Sequence, residues 1–219
     1  MEPFIHVHQY QFIRKQAQIV VNSHANVNDS RVLQAVQASV DDKVTAVFEQ
    51  LNEEQSRLLK EIRTVEDREG SEAFLLTLKS YVIPFPVMTA NLLKKIFPKV
   101  KKFKLPAVVE DERKELSYLG WEDTGTKRKF LLACEEGHWQ GVYGMFTPVR
   151  DKGICMLCHQ HTRVGLFMAE TKATADGAYV KRGNYICQDS LSCNQHLTDI
   201  GRLRDFIEHL NGNKVRWKE

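Results

Sequence analysis

Apolar side chains in the first 80 residues recur at intervals of three and four, which is the spacing of one face of an α-helix. No glycine interrupts this stretch before Gly70. The longest stripe follows the sequence VNDS, where Asn28 or Asp29 is placed to accept the free amides of a first helical turn. We therefore predict a long amphipathic helix whose apolar face comprises Val32, Leu33, Val36, Val40, Val44, Val47, Phe48 and Leu51.

Three further helices are predicted around this one. The first runs from His6 onward, and the third opens with Asn52 and Gln55, whose spacing resembles a capping box. Gly70–Ser71 should separate the third helix from a fourth over residues 72–83. The fourth helix is expected to end at the prolines of YVIPFP, because proline cannot continue a helix.

The four helices are joined by short connections, which predicts an antiparallel bundle. The proline-containing YVIPFP is then the expected hinge to a second domain. We predict an N-terminal helical bundle over residues 1–84 and a C-terminal α/β domain over residues 85–219, an α+β protein.

The second half of the chain changes character after a short helical stretch near TANLLKKIF. Its segments are rich in aromatic and β-branched residues, which predicts strands. A helical pattern returns after the last cysteine, starting at Thr198 or Asp199. The predicted strands are residues 127–134 and 138–146, joined by a turn at EEG, and residues 162–171 and 178–187, joined around TKATADG.

Four of the five cysteines form two groups, CMLC at residues 155–158 and CQDSLSC at residues 187–193. The N-terminus lacks the basic start and the continuous apolar stretch of a signal peptide, so we expect a cytoplasmic protein. Disulfide frameworks are rare in that reducing compartment. The clustered thiols therefore favour a metal site.

The spacing of these cysteines predicts the kind of metal site. Cys155 and Cys158 can form a tight knuckle whose thiolates both point at one ion, at about 2.3 Å. Cys187 ends a predicted strand, and Cys193 follows closely enough to return to the same ion. Knuckle, hairpin and following helix are the layout of a treble-clef zinc finger. Four thiolates fill the shell of Zn²⁺ and leave no place for water, so we expect one structural zinc.

Alternatives to this interpretation stay open at the level of residues. The thiols could be ordinary reduced core cysteines, and His159, His161 or His196 lies close enough in sequence to replace one as a ligand. A nuclease of the treble-clef type would need a histidine general base, for which CNQH at residues 193–196 offers a weak candidate.

The charge of the chain is small overall, at a formal +3, but it is unevenly distributed. The first 90 residues carry three more acidic than basic side chains, and the remainder carries six more basic than acidic ones. Six lysines fall within Lys94–Lys104, which favours a solvated face over a phosphate-binding patch. No apolar run approaches the roughly 18 residues that a membrane span needs, so no membrane partner is expected.

Two long motifs resemble a known family. CMLC and DGAYVKRGNYICQDSLSCNQHLTDI, at residues 176–200, closely resemble the zinc-binding C-terminal domain of the FusB-type fusidic acid resistance proteins, also called elongation factor G-binding proteins. The resemblance covers nearly the full chain through HQYQFIR, VNDSRVLQAVQ, YVIPFP, PKVKKFKLP, LGWEDTGTKRKF and GVYGMF.

The resemblance implies a helical bundle followed by a treble-clef zinc domain, without catalysis. It implies a monomer that binds elongation factor G, chiefly through the C-terminal domain, and helps the factor leave ribosomes on which fusidic acid has trapped it. The implied zinc ligands are Cys155, Cys158, Cys187 and Cys193. The implied partner contacts are Ile154, Arg182, Tyr185 and Phe206.

One position departs from the family pattern. Resistance-conferring members are expected to carry a phenylalanine before the first zinc cysteine, where this chain has Ile154. An aromatic anchor often dominates an interface, so the smaller side chain predicts weaker binding. The competing hypothesis is a zinc-finger protein that contacts the ribosome or RNA through its basic half, without specificity for the elongation factor.

Overall fold

A computed structural model describes residues 1–100, 108–172 and 179–211. The chain forms two compact units, Met1–Ile83 and Pro84–Glu219. The first is helical and the second is built on a five-stranded sheet, which confirms the α+β class. The elements are α1 Val7–Asn26, α2 Ser30–Thr45, α3 Glu53–Lys60, a 3-10 turn Glu61–Thr64, α4 Arg68–Lys79, α5 Ala90–Ile96, α6 Glu110–Arg113, β1 Tyr118–Asp123, β2 Arg128–Glu135, β3 His138–Ile154, β4 His161–Lys172, β5 Tyr179–Cys187, α7 Ser190–His196 and α8 Ile200–Asn211.

The predicted starts of α2 and α3 are found in the structure. Asp29 caps α2 by accepting the Arg31 amide at 2.8 Å. Asn52 and Gln55 form the capping box of α3, with both reciprocal hydrogen bonds at 2.9 Å. These side chains satisfy amides that have no partner within the helix, which fixes where each helix begins.

Three predicted boundaries in this unit are wrong, one of them the end of α4, which lies at Lys79 and not at residue 83. The helix α2 ends at Thr45, although the apolar stripe continues to Leu51, because the chain turns and the later residues pack on the same core from a loop. Gly70 and Ser71 lie in the first turn of α4, where Asp67 accepts the Gly70 amide at 2.8 Å. The glycine therefore belongs to a capped helix start.

The sheet of the C-terminal unit has the order β1-β2-β3-β4-β5, and every neighbouring pair is antiparallel. The predicted EEG turn joins β2 and β3, with positive φ angles of 50° at Glu136 and 79° at Gly137. The first strand, β1, was not predicted, since its short sequence YLGWED shows no clear alternation. The turn around TKATADG and the end of the lysine run lie largely outside the described residues, which omit 101–107 and 173–178.

The sheet carries a core on each face, since adjacent residues of one strand point to opposite sides. In β2, Leu131 joins the core that contains the four paired cysteines and α8, whereas Leu132 joins a second core with Phe97. Among the described residues, no helix is long and apolar enough to cross a membrane.

Candidate metal centre and partner surface

The four cysteines of the two motifs, CMLC and CQDSLSC, converge in the C-terminal unit. Their sulfur atoms all lie within 4.8 Å of one another, and all four side chains are buried. The Sγ atoms of Cys155 and Cys193 are 3.8 Å apart, and those of Cys158 and Cys187 are 3.5 Å apart. A tetrahedron with zinc–sulfur bonds of about 2.3 Å has edges of about 3.8 Å. The spacing of the sulfurs therefore fits a single zinc ion.

Each cysteine is placed by a different part of the fold. Cys155 and Cys158 lie in the turn between β3 and β4, and Cys187 is the last residue of β5. Cys193 lies within α7, a helix that the sequence analysis missed. Asp189 starts this helix by accepting the Leu191 amide at 2.9 Å. The sequence DSLS at residues 189–192 carried that capping signal.

Hydrogen bonds between the cysteines shift the pKa values of the thiols in opposite directions. The amides of Leu157 and Cys187 donate to the Cys155 sulfur at 3.4 Å and 3.3 Å. The Cys158 thiol, by hydrogen bonding, lowers the pKa of Cys155 well below its usual range, while the hydrogen bond with Cys155 raises that of Cys193. Close thiols thus oppose the ionisation of one another, and a divalent cation at the centre removes this conflict.

The three histidines considered as alternative ligands lie at exposed positions. Within the described residues, the group that can hold a metal consists of cysteines alone. His196 is engaged elsewhere, since its Nδ1 lies 2.8 Å from the Ser192 carbonyl oxygen. His159 has a positive φ of 57° and donates its amide to the Cys155 carbonyl at 2.9 Å, which closes the knuckle.

Asn194 positions α7 and was not singled out by the sequence analysis. Its side chain is fully buried, and its Oδ1 accepts the amides of Ser117 and Tyr118 at 2.8 Å and 3.1 Å. Its Nδ2 donates to the carbonyls of Tyr118 and Ser190, both at 2.9 Å. One amide group therefore ties the helix that carries Cys193 to the start of β1.

The strand β1 packs closely against α7. Burial raises the pKa of Tyr118 well above its usual value, and the neighbouring Cys193 thiolate raises it further. A Cβ atom at Gly120 would collide with the side chain of Ser190. The glycine of the motif LGWED is thus required for α7 to approach the sheet.

The residues expected at the partner surface differ in accessibility. Ile154 is 65% exposed and Tyr185 is 45% exposed. The Met156 amide donates to the Tyr185 carbonyl at 2.8 Å, so the zinc knuckle is joined directly to β5. Met156 is itself 44% exposed. Together Ile154, Met156 and Tyr185 form an exposed apolar patch beside the cysteine centre, which we call the knuckle patch.

The other two expected contacts are less available. Arg182 donates from its guanidinium to the His209 carbonyl at 3.0 Å, at the last turn of α8. Phe206 is only 4% exposed and packs against Phe167 with ring centroids 5.9 Å apart. The structure thus places Phe206 in the core, because α8 turns this apolar face toward the sheet, and not on the surface.

The fold and the cysteine centre define an α+β protein with a treble-clef zinc finger. The family model described as "Elongation factor G-binding protein, N-terminal" matches residues 4–86. The model described as "FBP C-terminal treble-clef zinc-finger" matches residues 95–208. The chain therefore belongs to the FusB-type family of fusidic acid resistance and elongation factor G-binding proteins, and it carries the structural zinc of that family.

A solved structure is similar over almost the whole chain. The fusidic acid resistance protein FusC is 30% identical in sequence, with a TM-score of 0.84. The similarity covers 95% of this chain and 98% of that protein. No curated protein matches the chain significantly.

Proposed function

We propose that this protein binds elongation factor G through its C-terminal unit and promotes release of the factor from ribosomes that fusidic acid has stalled. Protection from the drug follows from that release. The protein acts as a monomer in the cytoplasm and catalyses no reaction of its own. Support comes from the match to both family models and from the similarity to FusC over nearly the full length of both chains.

The observation that carries this proposal is the knuckle patch. Tyr185 and Ile154 are large apolar side chains that are exposed to solvent near the knuckle. The backbone of Tyr185 is fixed at both ends, because its amide bonds the Asn184 side chain at 2.8 Å and its carbonyl accepts the Met156 amide. A side chain on a fixed backbone loses little entropy when a partner covers it, which favours binding.

Zinc has a positioning role in this proposal. Cys155, Cys158, Cys187 and Cys193 are its ligands, and they join the β3–β4 turn, β5 and α7 at one point. The chemistry that the ion supplies is coordination alone, since four thiolates leave no position for a substrate. Loss of the ion would release the turn and the strand end that present the patch.

Arg182 and Phe206 have different roles at the proposed partner surface. Arg182 lies near the C-terminus of α8, where a cation is favoured by the helix dipole, and a guanidinium has further donors that suit an acidic partner group. We expect Phe206, which is 4% exposed and packed against Phe167, to support β4 from beneath and to act on the partner surface from the core. Replacement of Phe206 should therefore weaken binding only by destabilising the domain.

A ribosome release experiment tests this proposal. Ribosomes are loaded with fluorescent elongation factor G, guanine nucleotide and fusidic acid, and dissociation of the factor is followed after the protein is added. We expect faster release with the wild type and slower release with Tyr185→Ala. Met145→Ala is the matched control, since Met145 is 49% exposed and lies far along β3 from the knuckle.

The ribosome or RNA hypothesis predicts a different result. Phosphate contacts would make binding to ribosomes fall steeply as salt rises, and Tyr185→Ala would change it little. Release unaffected by the wild-type protein, together with salt-sensitive binding to ribosomes lacking the factor, would overturn the proposal.

A further inference from the structure

A buried lysine lies next to the cysteine centre. Lys129 in β2 is only 1% exposed and is the one lysine or arginine classed as buried in the part of the chain that the structure describes. Its Nζ donates to Glu122 Oε1 at 3.0 Å and to the carbonyls of Cys187 and Gln188 at 3.2 Å and 2.6 Å. These bonds occupy all three protons of the ammonium group.

Burying an ammonium group is unfavourable unless nearby negative charge compensates it. Glu122 lies directly opposite Lys129 in the β1–β2 register, but its side chain is 40% exposed. Water therefore screens this ion pair and weakens it. The Phe146 ring, whose centroid lies 4.4 Å from Nζ, adds a favourable cation–π contact, but it carries no net charge.

The zinc centre holds the negative charge that would complete this compensation. Zinc with four thiolates has a net charge of about minus two. Each of the four cysteines is at most 4% exposed, so water does little to offset that charge. Lys129 reaches the centre through the carbonyl of Cys187, which belongs to the same residue as one of the four sulfurs.

We propose that Lys129 is the counter-charge of the zinc–thiolate centre and that it sets how firmly the ion is retained. The ammonium group stabilises the negative centre and also holds the Cys187–Gln188 segment against the sheet. Gln188 completes this anchoring, since its Nε2 donates to the carbonyls of Val149 and Val164 at 3.0 Å and 2.9 Å. The inference rests on the proposed zinc ligands, and not on binding of the elongation factor.

A purely structural role and an electrostatic role predict opposite outcomes for Glu122. If the Glu122–Lys129 pair only braced the strands, loss of either partner would loosen the centre. If the charge of Lys129 sets zinc retention, loss of Lys129 weakens it. Loss of the negative charge of Glu122 makes the environment of the zinc centre more positive, which strengthens zinc retention or leaves it unchanged. The sign of the Glu122 effect therefore separates the two roles.

The test measures transfer of zinc from the full-length protein, as isolated, to an excess of the chromogenic chelator 4-(2-pyridylazo)resorcinol at one pH. The variants are Lys129→Met and Glu122→Gln, each of which nearly keeps the side-chain size. Lys181→Met is the matched control, because Lys181 pairs with Glu170 at 3.4 Å on an exposed part of the sheet. Circular dichroism and thermal melting confirm that each variant is folded.

We expect Lys129→Met to release zinc about tenfold faster or more, the size of effect typical for partners of metal ligands. Glu122→Gln should release zinc at the wild-type rate or more slowly, and Lys181→Met at the wild-type rate. Faster release from Glu122→Gln, or wild-type release from Lys129→Met, would overturn the inference. If Lys129→Met does not fold, the direction of the Glu122→Gln effect decides alone. No step involves elongation factor G, so this result stands apart from a failure of the proposed function.

Discussion

Replacement of Tyr185 by alanine should weaken binding to elongation factor G without destabilising the protein. Tyr185 is 45% exposed and extends from β5 beside the zinc knuckle. Its backbone bonds to Asn184 and Met156 do not involve the ring, so the alanine variant keeps them. The substitution therefore removes a contact surface and leaves its support intact.

The magnitude follows from the exposed area. An aromatic side chain buries about 150–250 Å² when it is fully covered, so covering the exposed 45% would remove roughly 70–110 Å² from water. At about 25 cal/mol per Å², this area corresponds to about 2 kcal/mol. Since about 1.4 kcal/mol is a tenfold change, the dissociation constant should rise by about 30-fold.

Calorimetric titration of the isolated factor with each variant measures this change. Tyr185→Phe is a close control, because it keeps the ring and should bind within about threefold of the wild type if no partner group requires the hydroxyl. Thermal melting should give the same midpoint for all three proteins. A dissociation constant for Tyr185→Ala within threefold of the wild type would refute the assignment of Tyr185 as a contact.

Four further predictions follow from the site. The protein as isolated should contain one zinc per chain by metal analysis, and Cys187→Ser should unfold the C-terminal unit while the helical circular dichroism of the N-terminal unit persists, since a structural zinc can contribute about 10 kcal/mol to folding. Phe206→Ala should lower the free energy of unfolding by about 3–5 kcal/mol in urea titrations, because it leaves a cavity under β4. Asn194→Leu should lower it by about 3 kcal/mol or more, because buried backbone groups lose their partners. Ile154→Phe should tighten binding to the factor by about fivefold in calorimetry, because a larger anchor becomes available.

Each of these predictions has a result that contradicts it. Zinc-free protein, or unchanged melting of Cys187→Ser, would argue against the metal centre. Wild-type stability of Phe206→Ala would mean that its ring is not packed in the core. A stable Asn194→Leu protein would show that the amide does not anchor α7, and Leu191→Ala, at an exposed site of the same helix, is its control. Unchanged binding by Ile154→Phe would place that residue outside the interface.

The metal centre could be predicted from sequence because each of its two cysteine motifs is short. The spacing of CMLC is typical of a knuckle, and the strand pattern before Cys187 brings the second pair to the same end of the sheet. The Asp29 cap and the Asn52–Gln55 capping box were predictable for the same reason. Within each cysteine motif and each cap, the interacting groups are separated by only a few residues along the chain.

The residues that support the centre could not be predicted, because their partners are distant in sequence. Asn194 bonds Tyr118 across 76 residues, and Lys129 bonds the Cys187 carbonyl across 58 residues. Asparagine and lysine side chains are ordinarily taken as surface residues. The accessibility of Phe206 was also beyond the sequence, because an apolar helical face indicates burial but does not exclude a partner.

Gel filtration of the protein with purified elongation factor G, with mass measured by light scattering and no ribosome present, tests whether the two proteins bind each other. We expect a new peak whose mass equals one copy of each protein, retained at 0.3 M salt and lost with Tyr185→Ala at concentrations below the dissociation constant of that variant. Separate elution of the two proteins at micromolar concentrations, with zinc confirmed in the sample, would contradict this expectation.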